Sequence, residues 1–341
     1  MKEIRVEDAV GQVLCHDMTR IIPGEYKDAQ FRKGHIIRSE DIPMLLSMGK
    51  EHIYVWEMEE GMLHENDAAE RLLGITINRH MLRSEAKEGK IELSADCDGL
   101  FKVSVDKLDA INSIDDIIIA TRHSNTAVKK GDKLAGMRVI PLVVEERRLV
   151  EAEKIKDGQP ILELVPYTLR SAGVITTGSE VYSGRIKDSF TPVIEAKLKS
   201  FGIEMTRHIT VDDGLENIAE AISRMREDHV DMILCTGGMS VDPDDNTPGA
   251  IKASGAKIIS YGAPVLPGAM FLLGYFPDGT PVMGLPGCVM YAGATVFDLL
   301  LPRIAAGVPV TRSDISRMGN GGLCLKCKPC HYPVCPFGKG I

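Results

Sequence analysis

The chain is poor in aromatics, which make up only 5% of its 341 residues and include a single tryptophan. It also lacks an excess of positive charge, since 40 Lys and Arg stand against 48 Asp and Glu for a net charge of −8. No Lys/Arg stripe is interleaved with aromatic residues, so the electrostatic footprint of a nucleic-acid binder is missing and nucleic acid is not an expected partner. No uninterrupted apolar run reaches the roughly 20 residues that cross a bilayer, so no membrane partner is expected either. The opening Met1-Lys2-Glu3-Ile4-Arg5-Val6-Glu7-Asp8 is charged throughout and has no apolar stretch of the signal-peptide kind. A cytoplasmic protein acting on small molecules and protein partners is the expectation. A chain of 341 residues is long enough for two or three domains, each with its own core.

Of eight cysteines, Cys15, Cys97, Cys235 and Cys288 are scattered, whereas Cys324, Cys327, Cys330 and Cys335 crowd one short stretch. In a reducing compartment such crowding points to metal rather than to disulfides. The spacing resembles a ferredoxin-type cluster run with one extra residue before the last Cys-Pro. Zinc explains it as well, because four thiolates, or three with His331, close a tetrahedral site. An iron–sulfur cluster or zinc is therefore expected there, for docking to a target enzyme or for redox sensing.

Residues 1–56 carry short β-like runs and a helix predicted around 40–47, entered through Ser39 and closed near Gly49. Residues 57–90 are charged, with Met62, Leu63, Leu72, Leu73 and Ile77 at irregular helical spacing, and read as a solvated helical connector. A mostly β module is expected over 91–168, from the runs at 100–103, 117–120 and 139–144 and the glycines that break them. From residue 169 to 310 apolar strands alternate with longer helical segments, the pattern of a parallel sheet covered by helices. Strands are predicted at 172–176, 204–209, 232–235 and 256–259, and amphipathic helices at 189–200 and 215–226. A last helix is predicted over 289–306 despite Pro302, followed over 311–341 by a polar, Gly-rich linker and the cysteine tail. The fold class expected is thus α/β, a parallel-rich sheet domain behind a mostly β N-terminal part.

The predicted strand at 232–235 runs into Thr236-Gly237-Gly238-Met239-Ser240, where small residues let a backbone approach a ligand closely and hydroxyls can donate to oxyanions. In an open parallel sheet, ligands bind at the carboxyl ends of the strands. Asp242, Asp244 and Asp245 follow, Asp212 and Asp213 come after the strand that ends near Ile209, and Glu180 and Asp188 flank the first loop. Clustered carboxylates repel one another unless a cation or protons neutralise them, so a divalent ion bridging to phosphate is one reason to gather them. Capping of the helix that starts near Gly214 explains Asp212 or Asp213 equally well.

Thr177-Gly178-Ser179-Glu180, Gly184-Arg185-Ile186-Lys187-Asp188-Ser189, Val211-Asp212-Asp213, Thr236-Gly237-Gly238-Met239-Ser240 and Gly284-Leu285-Pro286-Gly287 occur in this order. Together they resemble the molybdopterin-binding domain shared by molybdopterin adenylyltransferases and molybdopterin molybdenumtransferases, a MoaB/Mog-like three-layer fold. The resemblance covers residues 170–308 and implies a place in molybdenum cofactor biosynthesis. It implies that Thr236, Gly237, Gly238 and Ser240 hold the pterin phosphate or its adenylate, with Asp242 and Asp245 beside them. Glu180, Asp188 and Asp213 would then serve the chemistry. Asp212 and Asp213 would hold magnesium or molybdate, and Leu285, Pro286 and Gly287 would shape the far wall. Transfer of molybdenum to adenylated molybdopterin with release of AMP is the activity implied. Molybdopterin and molybdate are then the small-molecule partners, a molybdenum enzyme the recipient and a homodimer the expected assembly.

Two departures stand beside this. Val265-Leu266-Pro267-Gly268-Ala269-Met270 has no lysine where the molybdenumtransferases typically have one, and residues 15–30 lack their N-terminal loop. A non-catalytic carrier or sensor of the pterin is the reading these departures favour. The stretch Asp242-Pro243-Asp244-Asp245-Asn246-Thr247-Pro248 also resembles CinA-like nucleotide-processing proteins, which keeps dinucleotide pyrophosphatase chemistry as a third alternative.

Overall fold

Short runs near the N-terminus pair antiparallel, one across the chain and one with its neighbour. Lys2–Arg5 lies antiparallel to His52–Val55, and Met18–Ile22 forms a second antiparallel pair with Tyr26–Phe31. Val6, Leu14, Phe31, Ile37, Leu45 and Ile53 close over one another as a small core. The helix expected after Ser39 is present as a 3-10 turn, Ser39–Asp41, continuing into Ile42–Ser47. This computed structural model describes residues 2–22, 26–55, 60–240 and 242–340.

Two compact units divide the chain. The first takes residues 1–96, 102–122 and 130–164, and the second 97–101, 123–129 and 165–341. In the first unit Met81–Arg83, Lys90–Ala95, Lys133–Val139 and Ile117–Thr121 form a four-stranded antiparallel sheet in that order. The expectation of a solvated connector over 57–90 is corrected here. The helix Glu65–Thr76 buries Ala68, Ala69, Leu72, Leu73 and Ile75 and packs on this sheet. Its inward face is built partly of alanine, which hides the apolar stripe in a charged sequence. The single strand expected over 139–144 is two strands, one ending at Val139 and another at Val143–Glu145.

In the second unit the strands are β1 (Ser171–Thr177), β2 (Glu204–Val211), β3 (Met232–Thr236), β4 (Lys257–Tyr261), β5 (Leu272–Tyr275) and β6 (Pro281–Leu285). They form one sheet in the order β2-β1-β3-β6-β5-β4. β2, β1, β3 and β6 are mutually parallel, and β5 runs antiparallel to both its neighbours. Helices α1 (Thr191–Lys199), α2 (Leu215–Glu227), α3 (Thr247–Ala253) and α4 (Val296–Ala305) cover it.

Period-two alternation sorts each strand onto two cores. Val174, Leu234 and Met283 meet Ile194, Leu198, Phe297 and Leu300 on one face. Ile175, Ile233, Cys235 and Val282 meet Ile218, Ile222, Met225 and Ile251 on the other. A parallel sheet buried on both faces in this way is the three-layer α/β arrangement the motifs implied.

The predicted helix over 289–306 begins later than expected. A 3-10 turn, Gly287–Met290, comes first, and α4 starts after Thr295, which caps it reciprocally with Asp298. The Gly-rich segment after it is no free linker. A helix α5 (Arg312–Arg317) follows, Ile315 is buried, and Leu323 bridges to Leu266.

Candidate functional site

Because β1, β2, β3 and β6 run parallel, Thr177, Val211, Thr236 and Leu285 end at one edge of the sheet, and their loops open there. Side chains tie three of these loops together. The backbone N–H of Ser179, after β1, donates to Asp213 Oδ2 at 2.8 Å. Asn246 Nδ2, after β3, donates to the Asp213 carbonyl at 2.9 Å, and Thr247 Oγ1 donates to the Gly237 carbonyl at 2.9 Å.

The turn after β3 needs its glycines. Gly237 has φ +87°, and a Cβ on it would lie 2.3 Å from the Thr177 carbonyl oxygen, an approach no side chain can make. Gly238, at φ +53°, would put a Cβ 2.8 Å from Thr247 Oγ1. Across the edge, the Tyr261 hydroxyl at the end of β4 donates to the carbonyls of Met239 and Ser240 at 3.4 Å each. Burial, and then the nearby Asp245 carboxylate, push the Tyr261 phenol up from its ordinary value and keep it a proton donor.

Asp188 is the most heavily bonded carboxylate here. It accepts from the N–H of Phe190 at 2.8 Å and of Thr191 at 3.1 Å, and from the hydroxyls of Thr176 at 3.0 Å and Thr191. Burial works to raise its pKa, but the bonds from Thr191, Phe190 and Thr176 outweigh that and hold it below the usual Asp value. His208 Nε2 on β2 lies 3.0 Å from Thr176 Oγ1 and 3.1 Å from Thr191 Oγ1. Each hydroxyl has one proton and directs it to Asp188, so His208 Nε2 carries a proton and donates to them. Asp188 and His208 thus brace the start of α1 against the ends of β1 and β2.

Asp212 fastens the turn that leads into α2, a helix whose N-terminus has no side-chain cap. Its Oδ1 accepts from Gly214 N at 2.9 Å and from Asn217 Nδ2 at 2.7 Å, and these bonds hold its carboxyl below the ordinary range. Glu180, Ser240 and Asp242 are exposed, and Asp245 Oδ2 accepts from the Asp242 N–H at 3.2 Å. Arg185 and Lys187 are exposed in the loop between β1 and α1, where they supply positive charge.

Two expected roles change with this geometry. The Thr236 side chain is fully buried and its hydroxyl donates to the Ile175 carbonyl, so it supports the turn and offers a ligand nothing. The Leu285 side chain belongs to the core and Pro286 is buried as well, which leaves Gly287 exposed at the edge. Among the described residues no three His, Cys, Asp or Glu side chains are gathered as a metal site, either at this edge or in the tail. The loops converge, but their carboxylates do not form a cage. His208, Asn246, Thr247 and Tyr261 went unassigned in the sequence. Only strand pairing brings them to this edge.

Two hollows flank the second unit's sheet. One of about 260 Å³ lies on the outer side of β2, lined by Tyr182, Thr210, Asp212, Asn217 and Arg224. A larger one of about 500 Å³ is lined by Arg226, Asp231, Tyr275, Asp278, Pro281 and Val308. It lies where β3 and β6 begin, away from the glycine turn, so its size does not make it the site the motifs form.

The class defined by this sheet and edge is an open α/β domain whose loops meet at the strand ends. Residues 173–306 match the family described as a probable molybdopterin binding domain. Residues 3–57 match a second family, described only as a domain of unknown function. A molybdopterin molybdenumtransferase of Staphylococcus epidermidis is 32% identical over 124 residues, which are 34% of this chain and 29% of that protein. A CinA-like protein of Desulfosudis oleivorans is 37% identical over 86 residues, 25% of this chain and 21% of that protein. The chain therefore spans under a third of the length of these relatives. Among solved structures, a Mog protein of Mycobacterium ulcerans has 27% identity and a TM-score of 0.33, covering 39% of this chain and 91% of that one. The CinA protein of Thermoplasma acidophilum has 20% identity and a TM-score of 0.34, covering 40% and 98%.

Proposed function

We propose that the chain acts in molybdenum cofactor biosynthesis. It binds molybdopterin or its adenylate at the glycine turn after β3 and transfers molybdenum to it from molybdate, releasing AMP. The observation that carries this reading is the bonding of the motif loops to one another through Asp213, Asn246 and Thr247, at the strand ends of a domain of this family.

Gly237 and Gly238 let the turn pack closely on Thr177 and Thr247, and Arg185 and Lys187, exposed in the loop after β1, would offset the charge of a phosphate bound beside it. Asp213 has one oxygen committed to Ser179, and Glu180 is exposed beside it in sequence on the neighbouring loop. These two would hold magnesium, which takes one or two carboxylates plus substrate phosphates and so needs no protein cage of three. An ion held by these residues would supply neutralisation of the phosphoryl charge during cleavage of the phosphoanhydride. The reading carries with it a cytoplasmic location, a homodimer as the default symmetric assembly, and a molybdenum enzyme as recipient.

The test incubates the full chain with adenylated molybdopterin, magnesium and molybdate and follows AMP by chromatography, with Asp213→Asn alongside. Molybdate-dependent AMP release that falls at least tenfold in the variant is the expected result. The absence of AMP would overturn it.

The loop Val265–Met270, between β4 and β5, favours a second reading, because it holds no cation near the edge. In that case the chain carries or senses the pterin without turning it over, and pterin co-elutes in the same assay with no AMP. Hydrolysis of ADP-ribose without pterin would instead select the CinA-like alternative.

A further inference from the structure

Nothing in the function above uses the cysteine tail, yet the second unit holds it closely. Leu266 N donates to the Gly322 carbonyl and Cys324 N to the Leu266 carbonyl, both at 2.8 Å. At the far side Gly338 N donates to the Gly321 carbonyl at 2.9 Å, so residues 322–337 form a loop closed at its base. Phe337 is buried, and the Tyr332 hydroxyl donates to the Asp298 carbonyl in α4 at 2.8 Å. Between these anchors residues 324–340 contain no helix or strand. All four cysteines are free thiols and all lie inside the closed loop.

Cys324 and Cys335 pack partly buried against the sheet's core, while Cys327 and Cys330 are exposed. Lys326 has φ +54°, and its backbone N–H donates to Cys324 Sγ at 3.5 Å. A left-handed residue inside the C-x-x-C bends the chain so that it can double back toward its own first sulfur. Cys330 stands beside the loop that follows β6, for a Cβ on Gly293 would come within 3.0 Å of its sulfur.

We propose that Cys324, Cys327, Cys330 and Cys335 together ligate one thiolate-bound metal centre, zinc or an iron–sulfur cluster, held against the loop after β6. The spacing supplies four soft ligands on a short loop, and the closed base limits how far they must move. Among the described residues the four sulfurs share one closed loop without forming a cluster, so binding would have to draw them together. For zinc, four S–H bonds release their protons to water as four zinc–sulfur bonds form. A cluster would arrive with its iron and sulfide already assembled and exchange its former ligands for the same four thiolates, so in neither case does an electron move. Four thiolates around one divalent ion leave two negative charges, which Lys326 and Lys328 offset within the same loop. This rests on the tail alone and stands whether or not the pterin reading does.

The test uses the full chain, purified without oxygen from iron-supplemented cells, with iron, zinc and acid-labile sulfide measured per chain. The metal-free chain is then titrated with zinc against a chromogenic chelator. One equivalent of zinc without sulfide assigns a zinc site, and iron with matching sulfide assigns a cluster. The double variant Cys327→Ser/Cys330→Ser removes only exposed thiols. It should lose the metal and bind zinc at least 100-fold more weakly, while the metal-free chain unfolds at an unchanged temperature. His331→Ala should keep the metal. The proposal is overturned if the folded wild-type chain holds neither iron nor zinc tighter than micromolar, if the double variant keeps its metal, or if His331→Ala loses it.

Discussion

The loops at the strand ends and the cysteine loop both depart from the same unit, and they are held in opposite ways. The strand-end loops bond to one another through side chains, with Asp213 reaching Ser179, Asn246 reaching Asp213 and Thr247 reaching Gly237. The cysteine loop is fastened at its base and by two aromatic anchors, while its four chemically active side chains make no common contact. The first arrangement is complete before a ligand arrives, and the entropy of ordering it is met in folding. The second leaves its final geometry to the ligand it binds.

The comparison breaks most visibly if an anchor goes. Phe337→Ala empties a buried ring from the core and should cost about 3 kcal/mol by denaturant unfolding, releasing the cysteine loop while the strand-end loops keep their bonds. Gly237→Ala attacks the other side. Its Cβ meets backbone that cannot yield, so a loss of about 2–3 kcal/mol is expected, together with loss of pterin binding by calorimetry.

Asp188→Ala should cost about 2 kcal/mol, because it leaves the buried Thr176 hydroxyl and the N–H groups of Phe190 and Thr191 without their acceptor. The wild-type carboxyl sits below its ordinary value of 3.8, so its contribution is fully present above that pH and lost as pH falls through the lower folded value. Stability measured from pH 5 downward should therefore fall less steeply in the variant. Asp213→Asn is the mildest test. The amide oxygen can still accept from Ser179, so stability should change by less than about 0.5 kcal/mol, while magnesium-dependent binding of the adenylate weakens at least tenfold.

Much of the fold was legible because its signals are local. The runs at 172–176, 204–209 and 232–235 are strands, and Ile218, Ala221, Ile222 and Met225 form the buried stripe of α2 as their spacing implies. β5 and β6 were not read, although both are buried apolar runs separated by Asp278-Gly279. They belong to a reversal at the sheet's far side that parallel patterning does not anticipate. α4 was placed too early because Thr295 and Asp298 were not recognised as a capping pair three residues apart.

The candidate site was legible as motifs and not as contacts. The glycine turn announces itself by composition. His208 meets Asp188 only because β2 pairs in register with β1, and Tyr261 reaches Met239 from the opposite side of the sheet. Asp212 shows the limit of counting carboxylates, since its Oδ1 is taken up in holding the turn before α2.

One feature of β2 bears on the protein's behaviour in concentrated solution. It is an outermost strand of the sheet, and Glu204, Arg207 and His208 are all exposed along it. Charges on an open strand make continuation of the sheet into a neighbouring molecule unfavourable, because each added strand would have to desolvate them. The margin that could seed fibres is thereby blunted, and molecules that meet along it are turned away.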